Sequence, residues 1–284
     1  MEPFSSPILK HNMTDEDFSR LSSFVYNELG IKMPYPKKVM LQCRLQKRVN
    51  DLRLSSFTEY LEFVFSKEGQ EEEMIKMIDL VTTNKTDFFR EPSHFDYLRD
   101  IVLPELIESR PSRKTIRIWS AACSSGEEPY TIAIVLMDFL EKYPEADFEI
   151  LGTDISMRIL QRAALAIYTE YRVAGIPLEM KRKYFLRSKT PAEKTVRLIP
   201  EIRAKVSFQR MNLMDSYYDV DKDFDIIFCR NVLIYFDRPS QQSVINKLAT
   251  SLRPDGHFFL GHSESITNMK VPLRQIKPTI FRKI

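Results

Sequence analysis

Apolar residues recur at helical spacing through the first third of the chain. Phe57, Tyr60, Leu61, Val64 and Phe65 stand at i, i+3, i+4, i+7 and i+8, one face of a helix. Leu41, Leu45, Val49 and Leu52 form a second stripe of the same period. Thr14 with Asp17, and Ser56 with Glu59, have the spacing of capping boxes, in which a hydroxyl and an acid satisfy each other's orphan N–H groups. Pro36 suits the first turn of a helix running from Lys37 to about Arg53. Residues 14 to 80 are therefore expected to be helical.

From about residue 115 the period changes. Short apolar runs at 115–120, 148–153, 205–210, 223–229, 256–261 and 279–283 read as strands. Amphipathic stretches at 127–142, 156–166 and 239–252 read as the helices between them. Strand–helix alternation predicts right-handed crossovers and a mostly parallel sheet. Residues 168–204 break the alternation with a short helix, Pro177 to Phe185, and two short runs around Leu186 and Val196–Ile199. They are expected to form a small inserted antiparallel β-subdomain. The expected organisation is an all-α domain over 1–81, a linker with an interdomain helix over 82–114, and a Rossmann-like α/β domain over 115–284.

The chain has 284 residues, 43% hydrophobic and 29% charged, with a formal net charge of +3. That charge is too small to argue by itself for nucleic acid. The apolar runs are too short to span a bilayer, and Met1 to Pro7 lacks a signal pattern. Cys43, Cys123 and Cys229 are odd in number and widely spaced, which predicts neither a zinc site nor a disulfide framework. A cytoplasmic setting is expected, with Cys123 and Cys229 acting as small buried apolar groups.

The chemistry is concentrated in Trp119-Ser-Ala-Ala-Cys-Ser-Ser-Gly-Glu-Glu-Pro-Tyr130. This segment lies between a predicted strand and a predicted helix. Small side chains let backbone pass close to a ligand, and a helix start offers unpaired N–H groups. Phe148-Glu-Ile-Leu-Gly-Thr-Asp154 is a second strand ending in an acid, the arrangement by which a Rossmann-type sheet holds a nucleoside. The turn has one glycine, Gly126, so it is not the Gly-x-Gly-x-x-Gly fingerprint; it also lacks the Gly-Lys-Ser/Thr of a phosphate loop. A nucleoside without pyrophosphate, S-adenosylmethionine, fits that pattern.

These segments, with Thr82-Thr-Asn-Lys-Thr-Asp-Phe-Phe-Arg-Glu91, Phe228-Cys-Arg-Asn-Val-Leu-Ile-Tyr-Phe236 and Leu260-Gly-His-Ser-Glu264, carry a specific likeness. The chain resembles the CheR-type chemoreceptor glutamate O-methyltransferases over essentially its whole length. The resemblance implies S-adenosylmethionine as methyl donor, S-adenosylhomocysteine as product, and no metal. It implies glutamate side chains on the cytoplasmic helical bundle of chemoreceptors as acceptors. The fold it implies is a helical N-terminal domain and a methyltransferase domain with an inserted β-subdomain.

Asp154 is expected to accept from the ribose hydroxyls; a cap for the helix near Ser156 is the alternative. The resemblance places Glu128 on the cofactor, where an anion can pair with the ammonium or sulfonium; alone, it reads equally as an acid favoured by a helix dipole. Arg90 can pair with the methionyl carboxylate or orient the acceptor. Asn84 and Thr86 are cofactor contacts by resemblance. Asn212 can read the adenine edge while Leu213 packs on its face. Arg230 and Asn231 stand at the end of a predicted strand, where ligands collect. The Tyr235 hydroxyl is expected near the reacting centre, with wall packing as the alternative. His262 reads as a structural loop residue rather than a base.

Arg44, Lys47 and Arg48 share a helix face opposite the apolar stripe. The resemblance makes an acidic receptor bundle its partner; a solvated face is the plain alternative. The loop Arg187 to Thr195 has no glycine and contains Pro191, a departure from the receptor-tethered members of the family that puts docking of a receptor C-terminal peptide in doubt. A monomer that neither binds nucleic acid nor inserts into membrane is expected. Two other classes remain possible readings: methylation of another protein or RNA, and a non-catalytic receptor-binding regulator.

Overall fold

The computed structural model describes residues 11–109 and 115–284. Expectations that fall on residues 1–10 and 110–114 lie outside the described residues. The chain divides into two compact units, Met1–Thr83 and Asn84–Ile284.

In the first unit the described elements are α1 (Asp15–Leu29), a 3-10 turn at Tyr35–Lys37, α2 (Lys38–Asp51), α3 (Phe57–Phe65) and α4 (Lys67–Val81). Thr14 and Asp17 form the expected capping box on α1. At α3 only half of the second box forms. Ser56 accepts from Glu59 N, but the Glu59 carboxylate turns to the N–H and hydroxyl of Ser55. The predicted stripes point inward. Leu41, Leu45, Val49, Phe57, Tyr60, Leu61 and Val64 are buried, while Leu52 is only half-buried.

The basic face of α2 is partly engaged within its own domain. Arg44 points its guanidinium at the end of α4, where it donates to the carbonyls of Leu80, Val81 and Thr82 at 3.2, 3.2 and 2.9 Å. A cation there satisfies carbonyls that have no partner within the helix. Arg48 forms a two-pronged pair with Glu73, Nε to Oε1 at 2.7 Å and Nη2 to Oε2 at 2.6 Å. Glu73 is buried, and Tyr60 also donates to it at 3.2 Å. Lys47 alone of the three is exposed. Arg44 and Arg48 thus carry contacts within the domain as well as lying on the face with Lys47.

In the second unit, α5 (Pro92–Tyr97), a π-helical stretch at Leu98–Val102 and α6 (Leu103–Ser109) follow one another. Phe95, Leu98, Val102, Leu103 and Leu106 join the core of this unit, so the segment is part of its packing. The strands are β1 (Thr115–Ala121), β2 (Asp147–Asp154), β3 (Ile167–Thr169), β4 (Phe185–Arg187), β5 (Thr195–Leu198), β6 (Val206–Arg210), β7 (Phe224–Cys229), β8 (Leu252–Leu260), β9 (Leu273–Lys277) and β10 (Ile280–Lys283). The main sheet runs β6-β2-β1-β7-β8-β10-β9. Its pairs are parallel from β6 to β8, and β10 is antiparallel to both neighbours. The edge strand β9 is not apparent in the sequence, where Leu273 and Ile276 are its only apolar residues between Pro272 and Pro278.

The helices α7 (Glu127–Leu140) and α8 (Met157–Leu165) pack on β2 and β6, and α11 (Arg238–Ser251) packs on β8. The short α9 (Leu178–Tyr184) and α10 (Pro200–Arg203) belong to the insertion. There β3, β5 and β4 form the expected small antiparallel sheet. Consecutive strands step one way from β1 through β2 to β6 and the other way from β7 to β8. The carboxyl ends of β1 and β7 therefore flank a switch point, where an open α/β sheet has its crevice.

Arg48→Ala should leave the Glu73 carboxylate buried without its main partner. We expect a loss of about 2–3 kcal/mol in urea unfolding of the full chain. Adding Glu73→Gln should restore part of that loss. An Arg48→Ala protein as stable as wild type would remove the pair from the domain's support.

Candidate functional site

The site residues gather at the carboxyl edge of the main sheet. After β1, the chain turns through Ala122, Ser124 and Gly126, with φ of 62°, 51° and 91°. Gly126 is required twice over: its φ disfavours other residues, and a Cβ would lie 2.9 Å from Ala163 Cβ. The turn is tied down by Asp154. One carboxylate oxygen accepts from Ser124 N at 2.9 Å, the other from Ser156 N at 3.0 Å. Asp154 is buried at the tip of β2. The cap of α8 is Ser156 itself, whose hydroxyl accepts from Ile159 N. Asp154 therefore joins the loops after β1 and β2 beside the switch point, beyond the simple cap weighed above.

At the adjacent strand end, Arg230 follows β7 with its side chain 1% exposed. It donates to Glu128 Oε2 at 3.0 Å, to Glu91 Oε2 at 2.9 Å and to the carbonyl of Arg90. The Phe95 ring lies 5.3 Å from its guanidinium carbon. Glu128, at the start of α7, also accepts from the Ser120 hydroxyl at 2.7 Å. Burial pushes the Glu128 carboxyl up, against the lowering influence of Arg230 and Ser120. Glu91 is also raised by burial, but the bonds from Arg230, Asn231 and His262 more than reverse this and hold it at about 2.

Asn231 has a left-handed φ of 59° and donates through Nδ2 to Glu91 Oε1 at 3.1 Å. Its conformation is set by Glu264. That carboxylate accepts from four backbone N–H groups: Gly261, Asn231, Val232 and Leu233, at 2.7, 2.9, 2.9 and 2.7 Å. Gly261 permits the approach, since a Cβ there would stand 2.4 Å from Asn231 Nδ2. Burial raises the Glu264 carboxyl despite the four donors. Tyr235 lies in the short 3-10 turn Leu233–Tyr235 that this carboxylate holds, half-buried.

The remaining expected residues take different positions. Arg90 is half-buried and donates to the Lys85 carbonyl at 3.1 Å, between Phe89 and Glu91, whose φ values are 53° and 60°. The Asn84 carbonyl accepts from the Ser124 hydroxyl, which links this segment to the turn after β1. Thr86 is buried, and its carbonyl accepts from Arg172. Asn212 follows β6 and accepts from Met214 N at 3.0 Å, making a local turn. Leu213 is buried, its carbonyl receiving the Tyr218 hydroxyl and the Lys247 ammonium. Cys123 and Cys229 are buried thiols pushed up by burial, unlike nucleophiles.

Three participants carry no expected role from the sequence: Glu91, Glu264 and Glu127. Glu127 is buried and pairs with Arg172 of the insertion. Each was visible as an acid beside a strand-end motif, but no local spacing links it to its partner.

An open, mostly parallel sheet with an acid at the tip of β2, a small-residue turn after β1 and polar groups along one edge defines the Rossmann-like S-adenosylmethionine-dependent methyltransferase class. Residues 16–82 match the model of the CheR methyltransferase all-alpha domain, and residues 84–281 that of the CheR methyltransferase SAM-binding domain. A chemotaxis protein methyltransferase of Borreliella burgdorferi is 39% identical over 279 residues, 97% of this chain and 96% of that one. Chemotaxis protein methyltransferase 2 of Pseudomonas aeruginosa is 36% identical, covering 94% and 93%. The Escherichia coli chemotaxis protein methyltransferase is 36% identical, covering 91% and 87%. The chain belongs to the CheR methyltransferase family.

Glu264→Gln puts an amide nitrogen where backbone N–H groups now find an acceptor. We expect about 2 kcal/mol less stability in urea unfolding. Unchanged unfolding would mean that the 231–233 turn holds its shape without this carboxylate.

Proposed function

We propose that this chemotaxis methyltransferase binds S-adenosylmethionine along the carboxyl edge at the β1/β7 switch point and methylates glutamate side chains on the cytoplasmic helices of chemoreceptors. The observation that carries the reading is the buried Asp154 at the tip of β2, bonded into the small-residue turn after β1. The residues there fit the cofactor: a carboxylate for ribose hydroxyls, a turn whose small side chains leave the edge open, and nearby acids for a cation. Bound there, the cofactor supplies an electrophilic methyl group on a sulfonium.

Asp154, Asn212 and Leu213 are assigned to the nucleoside, and Asn84, Thr86, Glu128, Arg230 and Asn231 to the rest of the cofactor. Arg230 acts mainly through Glu128 and Glu91, because its guanidinium is enclosed between them. Arg90 and Tyr235 are assigned to the reacting centre, where they fix the acceptor carboxylate. No side chain has to remove a proton. A glutamate carboxylate, with a reference pKa of about 4.3, is already an anion at neutral pH. Its oxygen forms the new bond to the methyl carbon as the carbon–sulfur bond breaks, and the electron pair stays on sulfur. Positioning is what the protein provides, and proximity alone can lower a barrier by about 7–11 kcal/mol. The reaction itself needs no metal.

Among the described residues no helix is long and apolar enough to cross a membrane. We place the enzyme in the cytoplasm as a monomer that does not act on nucleic acid. Of the α2 cations, Lys47 is the one whose exposure suits an acidic receptor surface. Docking of a receptor C-terminal peptide is not part of the reading: the loop 188–194 closes on its own bonds, with Lys194 taking the left-handed conformation at φ 45° in place of a glycine.

The full chain should transfer labelled methyl from the donor to receptor-containing membranes, and the label should be released by mild alkali as a carboxyl ester is. Alkali-stable label, or label on RNA, would sink the glutamate reading. Tyr235→Phe keeps the ring and removes the hydroxyl. Turnover should fall about tenfold or more while S-adenosylhomocysteine affinity holds, the pattern of a group used only in the transition state. Full turnover would reduce Tyr235 to packing.

A further inference from the structure

The edge beside the proposed cofactor site contains a second constellation that methyl transfer does not use. One ligand atom each from Glu91, His94 and His262 lies within 4.8 Å of the others. His94 is on α5 with its side chain 3% exposed, and His262 is in the loop after β8, 54% exposed. Their ring centroids are 4.9 Å apart.

The hydrogen bonds around His94 favour one position for its ring proton. His94 Nε2 is 2.9 Å from Thr279 Oγ1, and that hydroxyl gives its one proton to the Pro278 carbonyl at 2.7 Å. That leaves Oγ1 as an acceptor, which favours the tautomer with its proton on Nε2. Nδ1 then carries a bare lone pair. It is buried and has no hydrogen-bond partner. It faces Glu91 Oε2 at 3.5 Å. His262 Nε2 stands 3.9 Å from the same oxygen. In that tautomer the Nδ1 lone pair faces the Glu91 carboxylate, with His262 Nε2 beside them, a grouping of electron-pair donors suited to a cation.

We propose that Glu91 Oε2, His94 Nδ1 and His262 Nε2 form a site for a divalent transition-metal ion of the zinc type, whose occupation slows methyl transfer. Two imidazoles and a carboxylate are a zinc donor set, with ligand bonds of about 2.0–2.2 Å. The spacing needs little adjustment, and the exposed His262 ring is free to make it. The supporting bonds are also in place: Thr279 on the far nitrogen of His94, and Asn231 Nδ2 and His262 N–H on Glu91 Oε1. Such partners orient metal ligands and fix their tautomers. Hard oxygen-seeking ions such as magnesium are disfavoured by the two imidazoles.

Arg230 sets the cost and the consequence. It donates to Glu91 Oε2 at 2.9 Å, so metal and guanidinium share one oxygen through its two lone pairs. The two cations repel, and each weakens the other's hold. Metal binding therefore loosens Arg230 from Glu91, and with it the Glu91–Arg230–Glu128 chain and the Asn231 contact. Metal affinity and cofactor affinity oppose each other, a coupling that acts equally in both directions. The inhibitory part rests on the function proposed above; metal binding does not.

The test uses the full chain stripped of metal with a chelator. Calorimetric titration with zinc chloride alone should give one ion per chain, and cobalt(II) chloride should give the visible absorption of a low-coordinate nitrogen–oxygen site. His262→Ala removes the exposed ligand without touching the core and should weaken metal binding by about tenfold or more. Its metal-free S-adenosylhomocysteine affinity and receptor methylation should match wild type, and zinc should no longer slow it. His94→Gln, checked for folding by thermal melting, should likewise lose the cobalt spectrum. No stoichiometric binding, or equal binding by wild type and His262→Ala, overturns the site. Metal bound with methylation unaltered overturns the inhibitory role. Absence of S-adenosylhomocysteine binding would overturn the enzyme reading instead and leave the titration interpretable.

Discussion

The carboxyl edge of the sheet is held together by one buried cation between two acids. The Arg230 guanidinium, at 1% side-chain exposure, has lost most of its water, and Glu91 and Glu128 supply the hydrogen-bonding partners in its place. Each of the three comes from a different part of the chain: the segment before α5, the start of α7 and the end of β7. Removing any one would strand the others in a low-dielectric site. The requirement for neutralisation therefore ties these three segments to each other. Breaking a buried pair of this kind by deleting one partner costs about 3–5 kcal/mol.

Glu264 does for backbone what Arg230 does for side chains. Three N–H groups at the start of the 231–236 segment have no strand or helix to join, and one carboxylate accepts from all of them and from Gly261 N. Asn231 can then hold a left-handed φ and reach Glu91. Asp154 is the third anchor of this type, receiving backbone N–H groups from two loops. Acids thus shape the loops on which a catalytic edge depends. The same bonds make them less free for a ligand than their sequence positions suggest.

The helical unit shows the same economy of charge. A run of basic residues on α2 looks like a surface for an acidic partner, yet Arg44 caps α4 and Arg48 neutralises the buried Glu73. Spacing told which residues share a face. It could not tell that the face lies against α4, because the acid that takes Arg48 is 25 residues away.

Much of the fold could be read locally. Periods of 3.6 and 2 located the longer helices and every strand but two: β3, which is three residues long, and β9, which is short, mostly exposed and has only two apolar residues. The capping residues, the small-residue turn and the acid at the tip of β2 were legible too, since each is set by its neighbours within a few positions. The tertiary structure alone decided what the acids and arginines do. Arg230 meets Glu91 across 139 residues and Glu128 across 102, and His94 meets Thr279 across 185. Local periodicity carries no information at such separations. Those pairings follow from sheet order, which brings the ends of β1, β7 and β8 side by side, and from the cost of leaving any charge among them buried alone.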